Sequence, residues 1–190
     1  MRISKSPEIR RQEIIDQAAQ LFQSQGISKT SMTEIAEKVG VAKGLVYYYF
    51  PSKEKLVDEI VDQFVQGLDT MLEAVLDRAD LDFYGKLTGI LAIYFSMFQN
   101  TPILMQLSPA DGSVMNLLRD RMSVTAFGYA QELLQVGLEQ NLVQIEYPEH
   151  TLKILISGLG DLYMDGVHDP QIHATLIEQM IGLPKGLLKF

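Results

Sequence analysis

The chain contains no cysteine among its 190 residues. That excludes a disulfide framework, a thiolate zinc site and a cysteine nucleophile. It also lacks a long apolar run. The most apolar segment, Leu87 to Phe98, is broken by Thr88, Gly89 and Ser96, and falls well short of the roughly 18 apolar residues that a membrane span needs. Met1-Arg2-Ile3-Ser4-Lys5 leads straight into polar sequence without the apolar core of a signal peptide. The expectation is a cytoplasmic protein with no membrane partner. Alternating strand patterns, low-complexity tracts and internal repeats are absent as well. So are a Ser/His/Asp set, a glycine-rich phosphate loop and paired acids in a catalytic motif. Of the three histidines, His168 and His173 are separated by Pro170, which prevents them from sharing one helix face. No enzyme, metal or cofactor is expected.

Net positive charge is lacking too, since the chain carries −8. Its distribution is uneven. Residues 1–56 hold nine Lys/Arg (Arg2, Lys5, Arg10, Arg11, Lys29, Lys38, Lys43, Lys53, Lys55) against six Asp/Glu, a net of +3. The remaining seven basic and eighteen acidic residues give 57–190 a net of −11. A basic head on an acidic body can meet phosphates with one end only. With 47% hydrophobic and 21% charged residues the composition is that of a globular chain.

What is present is helical punctuation. Ser6-Pro7 reads as an N-cap and first-turn proline, followed by an apolar face at Ile14, Ala18, Leu21 and Phe22 that Gly26 closes. Ser31-Met32-Thr33-Glu34 fits a capping box, and the helix it opens stops at Gly40. A short helix follows over about Ala42–Phe50, ended by Pro51. Ser52 caps a long one reaching about Ala79, on the order of 30–40 Å at 1.5 Å per residue. Further helices are expected from Phe83 to Phe98, a short one from Thr101-Pro102, one from about Ser113 to Gln140, one from Pro148 to Gly166, and one from Asp169-Pro170 to about Ile181. The fold class is all-α with about nine helices. An N-terminal three-helix domain over 1–52 precedes a C-terminal helical domain over 53–190.

Two short helices joined by Gly40-Val41 make a helix-turn-helix candidate. Such a motif lays its second helix in the DNA major groove with the first residues near base edges. Here Ala42 and Gly44 are small enough to admit close approach, and Lys43 can donate to guanine or phosphate. Ser31 and Thr33 bring hydroxyls to a helix N-terminus, where phosphates bind readily. Tyr47, Tyr48 and Tyr49 lie about 100° apart and cannot all face one way. Tyr48 and Tyr49 are expected to meet DNA, with Tyr47 shared between packing and phosphate. Lys53 follows just past the turn. Ile35, Ala36, Val39, Val41, Val46 and Phe50 are expected in the core.

The longer string, with Ile15, Ala18, Leu21-Phe22 and Gly26 followed by Thr30 through Leu56 (TSMTEIAEKVGVAKGLVYYYFPSKEKL), resembles the DNA-binding domain of the TetR/AcrR regulators over about residues 8–60. The resemblance implies a three-helix head, a long connecting helix and a homodimer that binds a palindromic double-stranded DNA operator and usually represses. It also implies that Ser31, Thr33, Lys43, Gly44, Tyr48, Tyr49 and Lys53, often with Tyr47, occupy positions that commonly meet DNA. Ala42 departs from it, because many members place a capping serine or threonine there.

Beyond residue 60 the likeness is architectural. Phe64, Tyr94, Met97, Phe98, Met105, Met115, Met122 and Phe127 are candidates for a pocket that takes a small lipophilic effector, methionine being an adaptable apolar surface. Leu152, Leu155, Ile156, Leu159 and Tyr163, with Ile172, Leu176 and Met180, are candidates for a four-helix interface between two copies.

Overall fold

The structure, a computed structural model, describes residues 5–100 and 112–189, the side chains of 97–100 excepted. Among the described residues there are eight helices and no strand: α1 (Pro7–Gln25), α2 (Met32–Val39), α3 (Lys43–Tyr49), α4 (Lys53–Leu76), α5 (Phe83–Asn100), α6 (Gly112–Glu139), α7 (Pro148–Met164) and α8 (Pro170–Ile181). The short helix expected from Thr101 lies outside the described residues. None of the described helices is long and apolar enough to cross a membrane.

Local chemistry sets most boundaries. Ser6 accepts a hydrogen bond from the Ile9 amide, with Pro7 at the first position of α1. At α2 both halves of the capping box are made: Ser31 Oγ accepts from Glu34 N at 3.2 Å, and Glu34 Oε2 accepts from Ser31 N at 2.7 Å. Ser52 Oγ accepts from Lys55 N to open α4, which stops three residues before the expected Ala79. Asp169 caps α8 through Gln171 N at 2.9 Å.

The described residues form two compact units, one drawn from Met1–Phe64 and Asn100–Leu118, the other from Val65–Gln99 and Arg119–Phe190. In the first, Ile14, Ile15, Ala18 and Phe22 of α1, Ile35 and Ala36 of α2, Val46 of α3, Phe50, and Leu56 and Ile60 of α4 are buried. Val39 and Val41, expected alongside them, are half-buried, because the chain is turning toward solvent at Gly40.

In the second unit the core joins Phe83, Leu91 and Phe95 of α5, Leu133 and Leu134 of α6, Leu152, Leu155 and Leu159 of α7, and Ala174, Ile177 and Ile181 of α8. α6 approaches the start of α5 closely: a Cβ at Gly137 would lie 2.6 Å from the Phe83 ring.

The chain end is tied down by a buried carboxylate. Glu178 Oε2 accepts from Gly186 N at 2.8 Å and Oε1 from Leu188 N at 2.7 Å, while Leu188 is fully buried. Burial pushes the Glu178 carboxyl upward, but the backbone N–H donors of residues 186–188 outweigh it and leave the carboxyl below its ordinary value. A depressed carboxylate contributes stability above its unfolded pKa, about 4.3, and loses it as pH falls through the lower folded value. Glu178→Ala should therefore destabilise the protein by about 1–3 kcal/mol at neutral pH through two stranded amides. The deficit relative to the parent should shrink as denaturation is repeated below that pH. An equal deficit at acid and neutral pH would mean that the charge contributes nothing.

Candidate nucleic-acid interface

The helix-turn-helix is assembled around one backbone feature. Gly40 adopts φ 75°, ψ 38°, and its N–H reaches Ala36 O and Glu37 O, while Val41 N donates to Ala36 O at 3.0 Å. Only a residue tolerant of the left-handed region allows α2 to stop and α3 to restart within three residues. Val46 and Phe50 then anchor α3 inward. Arg11 supports this from behind: it makes a bidentate pair with Glu59 of α4 and lies 5.1 Å from the Phe50 ring centroid. The guanidinium holds the Glu59 carboxyl below its usual range. Arg11 was not singled out from the sequence. Its spacing from Glu59, 48 residues away, leaves no local signal.

With α3 anchored on Val46, the opposite face points outward. Ala42, Lys43 and Gly44 are exposed. Tyr48 is 78% exposed, Tyr47 41%, and Tyr49 is half-buried with its ring edge-on to Tyr48 at 5.2 Å. Tyr49, rather than Tyr47, is thus the most enclosed of the three. The Lys43 ammonium rests 5.6 Å from the Tyr47 centroid, an exposed cation–π contact that keeps it beside the aromatic surface. Ala42 offers no side-chain cap, and the first turn of α3 is bare. A cluster of a cation, two exposed rings and a small-residue helix start is what base edges and sugar–phosphate require.

The remaining candidates are placed less simply. Ser31 is exposed and Thr33 half-buried at the α2 N-terminus. The Glu34 carboxylate occupies part of that end, accepting from Ser31 N. The Ser31 hydroxyl accepts from Glu34 N at 3.2 Å, and its hydrogen bonding with the Glu34 carboxylate, after that of the Ser31 backbone N–H, holds that carboxyl below its ordinary value. Lys53 is half-buried and directs its ammonium inward, donating to Ile27 O at 2.9 Å and Thr30 O at 3.0 Å.

Of the effector-pocket candidates, Phe64 and Met115 belong to the first unit and are half-buried. Tyr94, Met122 and Phe127 belong to the second, where the Tyr94 hydroxyl donates to Leu159 O at 3.1 Å. Met97 and Phe98 lie on α5 with side chains outside the described residues, as does all of Met105. A cavity of about 330 Å³ in the second unit is lined by Leu76, Leu81, Phe83, Lys86, Glu132 and Leu133, among others.

The interface candidates divide by face. Leu152, Leu155 and Leu159 are buried in the chain's own core, with Met180 packed against it. Ile156, Tyr163 and Leu176 are half-buried, and Ile172 is exposed. On α7 the outward apolar residues are Ile154, 65% exposed, and Met164. The run Leu152-Lys153-Ile154-Leu155-Ile156 has apolar groups on more than one side of the helix, and the sequence alone left open which side faces out.

Gly44 supplies a sharp test. A Cβ there would meet nothing within 4 Å, so the fold itself gives no reason for glycine in α3. Gly44→Ala should raise the melting temperature, by the equivalent of about 0.5–1 kcal/mol, yet weaken DNA binding by placing a methyl where the duplex must come. Unchanged affinity in a duplex titration would remove the first turn of α3 from the interface. Lys43→Ala should blunt discrimination between related duplexes, a bidentate base contact being worth about 1–3 kcal/mol.

Known proteins share these features. Residues 14–60 match the model of the bacterial regulatory proteins of the tetR family. The HTH-type transcriptional repressor KstR2 of Mycolicibacterium smegmatis is 32% identical over 94 residues, 50% of this chain and 45% of that protein, so the match spans less than half of the relative's length. Among solved structures, RolR without ligand superposes with a TM-score of 0.70 at 20% identity over 91% of both chains. Its complex with resorcinol gives 0.68 at 22% identity, over 93% of this chain and 89% of that one. The TetR-family regulator PfmR of Thermus thermophilus gives 0.59 at 23% identity, over 90% and 98%. At such identities the structures speak for the fold. Residues 14–60 thus carry the helix-turn-helix domain of the tetR-family bacterial regulatory proteins, and the described helices share the fold of these solved structures.

Proposed function

We propose that this protein is a sequence-specific DNA-binding transcriptional regulator, a repressor that acts as a homodimer on a palindromic operator and answers to a small, lipophilic effector. The observation that carries this reading is the outward face of α3. Gly44 and Tyr48 are exposed on the side of the helix opposite the buried Val46, and Lys43 is exposed in its first turn. A Cβ at Gly44 would meet nothing within 4 Å, and Tyr48 stays 78% exposed although its ring meets Tyr49 edge-on. The charge partition agrees, at +3 for residues 1–56 against −11 for the rest. Phosphates attract the head and repel the body. Reading DNA places the protein's work in the cytoplasm.

We assign DNA recognition to about residues 1–52 and the start of α4, with Ser31, Thr33, Ala42, Lys43, Gly44, Tyr47, Tyr48, Tyr49 and Lys53 at the duplex. Effector binding and dimerisation fall to 53–190. RolR, of shared fold, takes resorcinol, which supports a small ligand for the helical unit here as well. An effector coupled to the operator by a typical 1–3 kcal/mol would weaken DNA binding about 5–150-fold, and DNA would weaken effector binding equally.

The outer faces of α7 and α8 support the homodimer. Ile154, Met164 and Ile172 are large apolar groups left in water, and Ser157 and Gly158 between the first two leave room for a neighbouring helix. Selection from a random duplex library should enrich an inverted repeat whose half-sites lie one helical turn apart, about 34–36 Å, or a multiple of it. Enrichment of no sequence at all would reject operator recognition.

Sedimentation should show a dimer at micromolar concentration. Ile154→Glu or Ile172→Glu should shift it toward folded monomer, whereas Leu159→Glu, buried in the chain's own core, should unfold it. A parent protein that sediments as a folded monomer contradicts the assignment.

A further inference from the structure

We propose that the cavity between the end of α4, the start of α5 and α6 binds a small organic ammonium ion, an apolar body carrying one amine, with the Glu132 carboxylate as its counter-ion. The proposal rests on the effector reading above and names the place and the charge of the ligand. The cavity measures about 330 Å³, within the roughly 300–1,000 Å³ of small-molecule sites. Its walls are largely apolar: Phe83 and Leu133 are buried, Leu76 and Leu81 half-buried. Two glycines fix the helices around it. A Cβ at Gly137 would lie 2.6 Å from the Phe83 ring, and one at Gly89 would lie 2.9 Å from Val75 Cγ1. At these points α5 meets α6 and α4 directly, which holds the walls in place before any ligand arrives. A preformed site costs less to fill.

The charged groups of the lining differ in what already engages them. The Asp82 carboxylate accepts from Gly85 N at 2.8 Å at the start of α5, and the Lys86 ammonium donates to Leu76 O at 2.5 Å. Leu76 is the last residue of α4, so Lys86 holds a helix C-terminus, where a cation is stabilised. Glu132 carries an exposed carboxylate with neither a hydrogen bond nor an ion pair among the described residues. Two carboxylates against one ammonium leave a negative charge in excess, and the uncommitted group is the negative one. Residues 57–190 add a net charge of −11, which draws cations and repels anions. A carboxylate-bearing ligand would face Asp82 and Glu132, with its one cation already engaged by Leu76 O. An amine on a hydrocarbon body matches both the apolar walls and the free carboxylate.

Three probes of similar size separate the alternatives: phenethylammonium, neutral phenethyl alcohol and anionic hydrocinnamate. Each is titrated into the DNA-free protein while amide NMR shifts are followed. We expect the ammonium to bind most tightly, with its largest changes at residues 76–89 and 132–140. Glu132→Gln should weaken it about twofold to fivefold, the scale of a part-exposed ion pair, and leave the affinity for phenethyl alcohol unchanged. Val136→Trp, at a lining position 37% exposed, should fill the cavity and abolish binding while the rest of the spectrum stays the parent's. Hydrocinnamate or the alcohol binding as tightly as the ammonium overturns the proposal. So does an ammonium that fails to bind at millimolar concentration or shifts only residues elsewhere in the chain. Duplex affinity is measured separately. An ammonium that occupies the cavity yet leaves a selected duplex as tightly held as before upholds the site and rejects the effector reading.

Discussion

Everything that the recognition surface can do depends on how α3 is held, and that begins with the left-handed turn at Gly40. Two helices of eight and seven residues are too short to persist alone in water. They are kept by burying Ile35, Ala36, Val46 and Phe50 against α1 and the start of α4. That burial demands that α2 end and α3 begin within three residues, and φ 75° at Gly40 makes this possible. A side chain there would meet nothing within 4 Å but would cost roughly 1–2 kcal/mol through the left-handed backbone. With Val46 seated, helical geometry leaves little choice for Lys43, Gly44 and Tyr48. Gly44 and Tyr48, two residues either side of the anchor, fall about 200° round the helix on its far side, while Lys43 stays exposed in the first turn.

Polar bonds refine what the apolar core positions. The Arg11–Glu59 pair joins α1 to α4, and Gln12 and Gln63 exchange amide hydrogen bonds one turn further along. These pairs are part-exposed, so each adds little stability. They do set how α1 lies along α4. Lys53 adds a tie from the start of α4 to the turn between α1 and α2, through Ile27 O and Thr30 O.

Much of this was legible in the sequence, because capping is local chemistry. Ser6-Pro7, the Ser31/Glu34 box, Ser52 and Asp169-Pro170 each start a helix within a residue of the expected place. The motif that marks the head is read the same way, from adjacent residues. What could not be read was orientation around a helix with apolar residues on several sides. Leu152, Leu155 and Leu159 turn into the chain's own core, leaving Ile154 outside. Among the tyrosines, Tyr49 is the most enclosed, since it lies nearest Phe50 and the end of α3. The direction of Lys53 was equally hidden, because its partners are carbonyls 23 and 26 residues away and backbone groups leave no trace in a sequence. The cavity of the second unit draws on α4, α5 and α6 at once, and no spacing rule joins those segments.

The claim on which the account stands is that one face, from the α2 N-terminus through α3, meets the duplex. Amide and side-chain NMR shifts followed through titration with a selected duplex test it most directly. The account predicts the largest changes at Ser31, Thr33 and Lys43–Tyr49, with residues 120–189 changing little on direct contact. Largest changes on α7 or α8, with α3 unperturbed at saturation, would contradict it.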